Sequence, residues 1–176
     1  MFFRKTVNDG SVPLKYKRGK RTKKEYRSKC LGYKFAIPEG FVLEKEEVLK
    51  EKSTQEDICD FCGKSREGIE VGVNFIPADG SFPIKDTSTM DMIGRSIVQK
   101  INDTSTDGRK STYYGVTEFC GKKCAHSIME YERDGVQFFT EFYQNYTTYY
   151  LLQFAFTYTY ENGTGVSELK SLFSGL

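Results

Sequence analysis

Tyr149-Tyr150-Leu151-Leu152-Gln153-Phe154-Ala155-Phe156-Thr157-Tyr158-Thr159-Tyr160 places a large apolar side chain at every second position. That period-2 pattern predicts a β-strand over about 149–159, with Tyr150, Leu152, Phe154, Phe156, Tyr158 and Tyr160 on one face. An aromatic face of this size needs a cover. Two arms precede it, at about 124–132 and 136–144. Asp134-Gly135 is a hairpin signal between them, and Asn145 to Thr148 turns the chain into the last arm. A three-stranded antiparallel meander is the expectation.

Further upstream, Met90, Ile93, Ile97, Val98 and Ile101 form one helical stripe, with Ser88 and Asp91 resembling a cap. At the C-terminal end, Val166, Leu169, Leu172 and Phe173 give the apolar side of a short helix that Thr164 can cap. These two helices are the expected covers of the aromatic face. Toward the N-terminal side, Tyr33, Phe35 and Ile37 alternate as a strand that Pro38-Glu39-Gly40 ends, and Phe41-Val42-Leu43 starts another. The charged stretch 44–57 reads as a loop or solvated helical turn. Ile58 to Cys62 and Ile69 to Phe75 form a hairpin about a Gly63-to-Gly68 turn. The sum is an α+β domain at about 30–176, an antiparallel sheet of about six or seven strands covered by helices.

Composition sets the outer limits. With 38% hydrophobic and 28% charged residues among 176, the chain is neither collagen-like nor wholly disordered. No apolar run approaches the roughly 18 residues of a membrane span, so no transmembrane segment is expected. The net charge of +2 conceals a division. Residues 1–29 hold eleven Lys or Arg against Asp9 and Glu25, a charge of +9, which leaves −7 on the remainder. The basic stretch has few apolar residues and no periodicity after Leu14, so it reads as a flexible N-terminal arm. Lys15, Lys17, Arg18, Lys20, Arg21, Lys23 and Lys24 are its candidate anion-binding residues, toward nucleic acid or an anionic membrane surface. Tyr16 and Tyr26 can stack on bases. No apolar export segment follows Met1 in the printed chain.

The order of these elements resembles the PsbP-like (Mog-like) superfamily over about residues 31–176. The resemblance rests on the strand into Ile37-Pro38-Glu39-Gly40-Phe41, the mid-chain helix, Tyr149-Tyr150-Leu151-Leu152-Gln153-Phe154, and Ser171-Leu172-Phe173 in a final helix. It implies an antiparallel sheet between helices and a binding or accessory domain without a shared catalytic motif. It also allows an extracytoplasmic lipoprotein whose leader has been removed.

The cysteines offer a second chemistry. Cys59-Asp60-Phe61-Cys62-Gly63-Lys64 resembles a zinc knuckle, and Cys120-Gly121-Lys122-Lys123-Cys124 supplies a second pair. If both turns met at one end of the sheet, Cys59, Cys62, Cys120 and Cys124 would hold one Zn²⁺ at Zn–S distances of ~2.3 Å. Buried free thiols, or a disulfide within either pair, are the alternatives. On a regular strand Cys59 and Cys62 would face opposite sides. Cys30 is the natural odd thiol among five. His126 lies two residues from Cys124, but no orienting group is evident for a nucleophile–base pair. No phosphate loop, paired-His motif or nucleophile elbow appears. The resulting expectation is a non-enzymatic domain that binds an unknown protein or small ligand. The alternatives are a zinc-stabilised binding module and a nucleic-acid or anionic-membrane binder acting through the arm.

Overall fold

The computed structural model describes Gly10 and residues 13–174. In chain order it contains β1 (Lys20–Arg21), β2 (Glu25–Arg27), β3 (Lys34–Ala36), β4 (Val42–Leu43), α1 (Glu46–Glu51), β5 (Ile58–Lys64) and β6 (Glu70–Pro77). Then follow α2 (Thr87–Thr104), β7 (Lys110–Phe119), β8 (Lys122–Arg133), β9 (Val136–Tyr146), β10 (Tyr150–Thr159) and α3 (Val166–Ser174). Strands β4-β5-β6-β10-β9-β8-β7 form one antiparallel sheet of seven, and β1-β2-β3 form a small second sheet. The α+β antiparallel class expected from the sequence is what the chain adopts.

Strand β10 lies at the centre of the large sheet, between β6 and β9. Tyr150, Leu152, Phe154 and Phe156 are fully buried, so its alternation marks the core face as expected. Val71, Val73 and Phe75 extend that face across β6. Its cover comes from α3 and β3. Phe173 stacks on Phe35 at 4.1 Å between ring centroids and meets Phe154 and Phe156 edge-on. Tyr33 meets Phe154 edge-on at 5.3 Å. Truncating a buried aromatic such as Phe173 removes about 3–5 kcal/mol of packing.

Helix α2 corrects its expected place. It packs on β7 and β8 over the opposite face of the sheet, where Gly94 lies against Tyr113 and Ala125. A Cβ at Gly94 would stand 2.6 Å from the Tyr113 ring, so the helix approaches this closely only because the residue is glycine. Its N-cap is Asp86, whose side chain accepts from Thr89 N–H at 2.8 Å, in place of the Ser88 and Asp91 arrangement. Strand β7 was not among the expected strands. Its register shifts between Tyr113 and Gly115, and that bulge breaks the alternation on which a strand reading depends.

Tight turns close the hairpins. Asp134 and Gly135 both have positive φ, as do Cys120 and Gly121, the pattern of a two-residue type I′ turn. The first was legible as Asp-Gly. In the second a cysteine occupies the strained position.

Candidate functional site

Residues 13–29 do not form the flexible arm expected of them. The lysines and arginines alternate with a few anchoring side chains, and those anchors reach the large sheet. Tyr16 stacks on Phe75 at 5.2 Å, and its hydroxyl donates to the Asp60 carboxylate. Tyr26 is buried, donates to the Asp60 carbonyl at 2.9 Å and accepts from Gly19 N–H at 3.1 Å. Arg18 Nη1 donates to the Cys59 carbonyl at 2.7 Å. A Cβ at Gly19 would lie 2.4 Å from the Tyr26 hydroxyl, so glycine is needed there. β2 pairs with β3, across the boundary that charge alone sets near residue 29. Hydrophobic composition failed as a guide because long-range phenol–carboxylate bonds, with two stacked rings, supply the order. Arg4, Lys5 and Asp9 lie outside the described residues.

The cations themselves face outward. Lys15, Lys17, Lys20, Arg21, Lys23, Lys24, Arg27 and Lys29 are exposed on this docked segment. Among the described residues of the segment, Arg27 alone forms an ion pair, with Glu25 at 3.0 Å. The result is a basic face of fixed shape. Beneath it, Asp60 is completely buried and takes bonds from Tyr16 and Tyr33. Burial and the Asp60 charge both push the Tyr16, Tyr26 and Tyr33 phenols up, so these donors keep their protons. Asp60 was not singled out from the sequence. A lone aspartate between two cysteines carries no periodic signal.

The four cysteines do not come together. β5 and β8 are separated by β6, β10 and β9, four strand spacings or roughly 19 Å. One zinc ion with ~2.3 Å bonds cannot span that distance. The pairs also lie on different faces, because Cys124 is in the aromatic core. Among the described residues no group of three or more His, Cys, Asp or Glu is placed to hold a metal. All five cysteines are free thiols. Burial pushes Cys124 up to about 12, and raises Cys120 and Cys30 as well. Gly63 serves packing: a Cβ there would meet the Phe41 ring at 2.2 Å. Within the first pair, by contrast, a β-bulge shifts the register between Cys59 and Phe61 and puts both thiols on one side.

His126 has the orienting group that the sequence did not reveal, and it uses it structurally. Its Nε2 lies 2.7 Å from Glu141 Oε1, and its ring stacks on Tyr143 at 4.6 Å. Glu141 is buried and also receives Tyr143 O–H at 2.6 Å and Lys170 Nζ at 3.0 and 3.1 Å. Burial alone would raise the Glu141 carboxyl. Hydrogen bonds from His126, Tyr143 and Lys170, with the Lys170 charge, outweigh it and hold the group at about 2. Lys170 belongs to α3, so this cluster ties the C-terminal helix to β8 and β9. The Cys124 thiol bonds instead to the Lys122 carbonyl at 3.6 Å.

Fold and site together define an α+β sandwich with a basic strand pair docked on one end of its sheet. The chain is similar to the solution structure of cyanobacterial PsbP (CyanoP) from Synechocystis sp. PCC 6803, at 14% identity and a TM-score of 0.48. That likeness covers 84% of this chain and 87% of the other. It is also similar to the crystal structure of LpqN, involved in cell envelope biogenesis of Mycobacterium tuberculosis, at 7% identity and a TM-score of 0.45. There the coverage is 81% of this chain and 79% of LpqN. No family model matches the sequence, and no curated protein matches it.

Proposed function

We propose that this chain is a non-enzymatic binding or accessory domain, and that it takes an anionic partner on the basic face of residues 15–29. The observation that supports this reading is the docking of that segment. Lys15, Lys17, Lys20, Lys23 and Lys24 stand exposed on backbone anchored through Tyr16, Tyr26 and Arg18. A pre-ordered array of cations loses less conformational freedom on binding than a disordered arm does. The clefts are a weaker basis for a small ligand. Volumes of about 390, 330 and 310 Å³ lie at the low end for ligand pockets. The 390 Å³ cleft is lined by Asp107, Arg109, Glu132 and Arg133 beside Met129 and Tyr131, a charged setting.

Binding of the full chain to labelled single-stranded DNA, duplex DNA and phosphatidylserine vesicles, over a range of salt concentrations, tests the proposal. The combined Lys15→Ala, Lys20→Ala, Lys23→Ala, Lys24→Ala variant removes four cations that make no ion pair among the described residues. Its affinity should fall at least tenfold at low salt, and the log–log salt slope should shrink by roughly three to four. The DNA and vesicle arms separate nucleic acid from membrane as the source of phosphate. Equal binding by the variant, or no binding by the wild-type chain to any of the three probes, would exclude the basic face.

A further inference from the structure

The bulge in β5 sets Cys59 opposite Asn74 and Cys62 opposite Gly72, on one side of the sheet. Those partners are two residues apart, roughly 6.6 Å on a strand rising ~3.3 Å per residue. That spacing is within the ~4.4–6.8 Å between Cα atoms that a disulfide bridges. Cys59 Sγ donates to the Phe61 carbonyl at 3.6 Å, and Lys52 acts electrostatically on both thiols. Lys52, at the C-terminal end of α1, places Nζ 3.7 Å from Cys62 Sγ. The backbone is fixed on both sides: Cys59 N–H donates to Ser53 Oγ at 3.0 Å, and Glu44 N–H donates to the Cys62 carbonyl at 3.0 Å. Cys59 is buried and Cys62 is half-buried.

This arrangement collects negative charge on one sulfur. The neighbouring Cys59 thiol and the ammonium of Lys52 outweigh burial and the Glu44 charge, and lower Cys62 below the ordinary thiol value. Its partner moves the other way. The neighbouring Cys62 sulfur, and burial after it, push the Cys59 thiol up. The other charges near the pair are Arg18, whose field favours the Cys59 thiolate, and Glu44, 3.9 Å from Lys52. Cys62 also lines a cavity of about 290 Å³ with Arg18, Arg21, Glu44 and Glu46. Nothing in the basic-face reading uses these thiols.

We propose that Cys59 and Cys62 form a redox-active dithiol, with Cys62 as attacking thiolate and Cys59 as resolving thiol, toward low-molecular-weight disulfides bearing carboxylates. The Cys62 thiolate attacks one sulfur of the disulfide, a new S–S bond forms, and the first thiolate leaves with the electron pair of the broken bond. Cys59 then attacks Cys62 Sγ within the mixed disulfide. Its proton passes to the second leaving thiolate, and the Cys59–Cys62 disulfide remains. The protein dithiol is oxidised by two electrons, and the small disulfide is reduced to its two thiol products, one of them still ionised. Arg18 and Arg21, with Lys52 beside Cys62, outnumber Glu44 and Glu46 around the cavity and favour carboxylates there.

The experiment treats the reduced full chain with glutathione disulfide at pH 7 and follows intact mass and peptide maps. The wild-type chain should lose two hydrogen masses and link Cys59 to Cys62. Cys59→Ser should hold one glutathione on Cys62, and Cys62→Ser should leave Cys59 at least tenfold slower to react. Lys52→Gln, checked for native circular dichroism, should slow modification of Cys62 by about threefold or more, because thiolate fraction sets the rate. Modification of Cys30 or Cys120 as fast as Cys62, or no Cys59–Cys62 link in the folded wild-type chain, would overturn the dithiol. Cystamine, which has amines where glutathione has carboxylates, should react more slowly than glutathione disulfide. An equal or faster rate would overturn the substrate class.

Discussion

Two buried carboxylates hold the two ends of the described chain to the same sheet, by opposite electrostatic means. Asp60 on β5 receives the phenols of Tyr16 and Tyr33 and so docks the N-terminal segment. Glu141 on β9 receives Lys170, His126 and Tyr143 and so docks α3. The first set of hydrogen-bond donors is neutral and must keep its protons. The second contains a cation and requires the carboxylate to stay ionised. Acid therefore threatens the C-terminal attachment, and alkali the N-terminal one.

The comparison is broken most severely at Asp60. Asp60→Ala strands the buried Tyr33 hydroxyl and the half-buried Tyr16 hydroxyl, and should cost about 2–5 kcal/mol in a urea titration. Trypsin should then cut within residues 15–29 before the rest of the domain. If the rest is cut at the same rate, the segment is no separate attachment.

Glu141→Gln comes next. The depressed carboxyl contributes stability that is fully present above its ordinary value of 4.5 and is lost as pH falls toward about 2. Linkage makes this worth on the order of 3 kcal/mol. The variant should be less stable at pH 7 by about that amount, and its loss of stability between pH 4.5 and 2 should be shallower than that of the wild-type chain. An acid limb as steep as in the wild-type chain would place the titration elsewhere.

Tyr16→Phe is the smallest change, about 1 kcal/mol for one hydrogen bond. A phenol raised in the folded state contributes stability that is complete below pH 10 and declines above it. The variant should therefore show a shallower alkaline limb in pH-dependent unfolding.

What the sequence disclosed follows from the range of the forces involved. The alternation of Tyr150 through Phe156 and the Asp134-Gly135 turn are local signals, and they located β10 and the β8–β9 hairpin. The stripe from Met90 to Ile101 located α2, but the face it covers depends on the fit of Gly94 to Tyr113 and Ala125 across the sheet. Residues 15–29 were misjudged because Tyr16 and Tyr26 are too few to form a pattern. Their order depends on Asp60, 44 and 34 residues away. The cysteines form two pairs by spacing along the chain. Their meeting depended on strand order, which no spacing within the chain encodes.

Asp60 has one more consequence, about how separable the parts of this molecule are. Upstream of it, Ile58 faces the core side with Phe75; downstream, Phe61 and Gly63 do so with Val73 and Val71. With Asp60 left out, Ile58-Cys59-Phe61-Cys62-Gly63-Lys64 reads in and out without a break. Asp60 is thus a one-letter addition to a complete strand, and the seven-stranded sheet has a full pattern without it. Chains lacking this residue would retain the sheet and its thiol pair, and would lose the carboxylate to which Tyr16 and Tyr33 donate. The scaffold is therefore complete without the carboxylate that Tyr16 and Tyr33 reach.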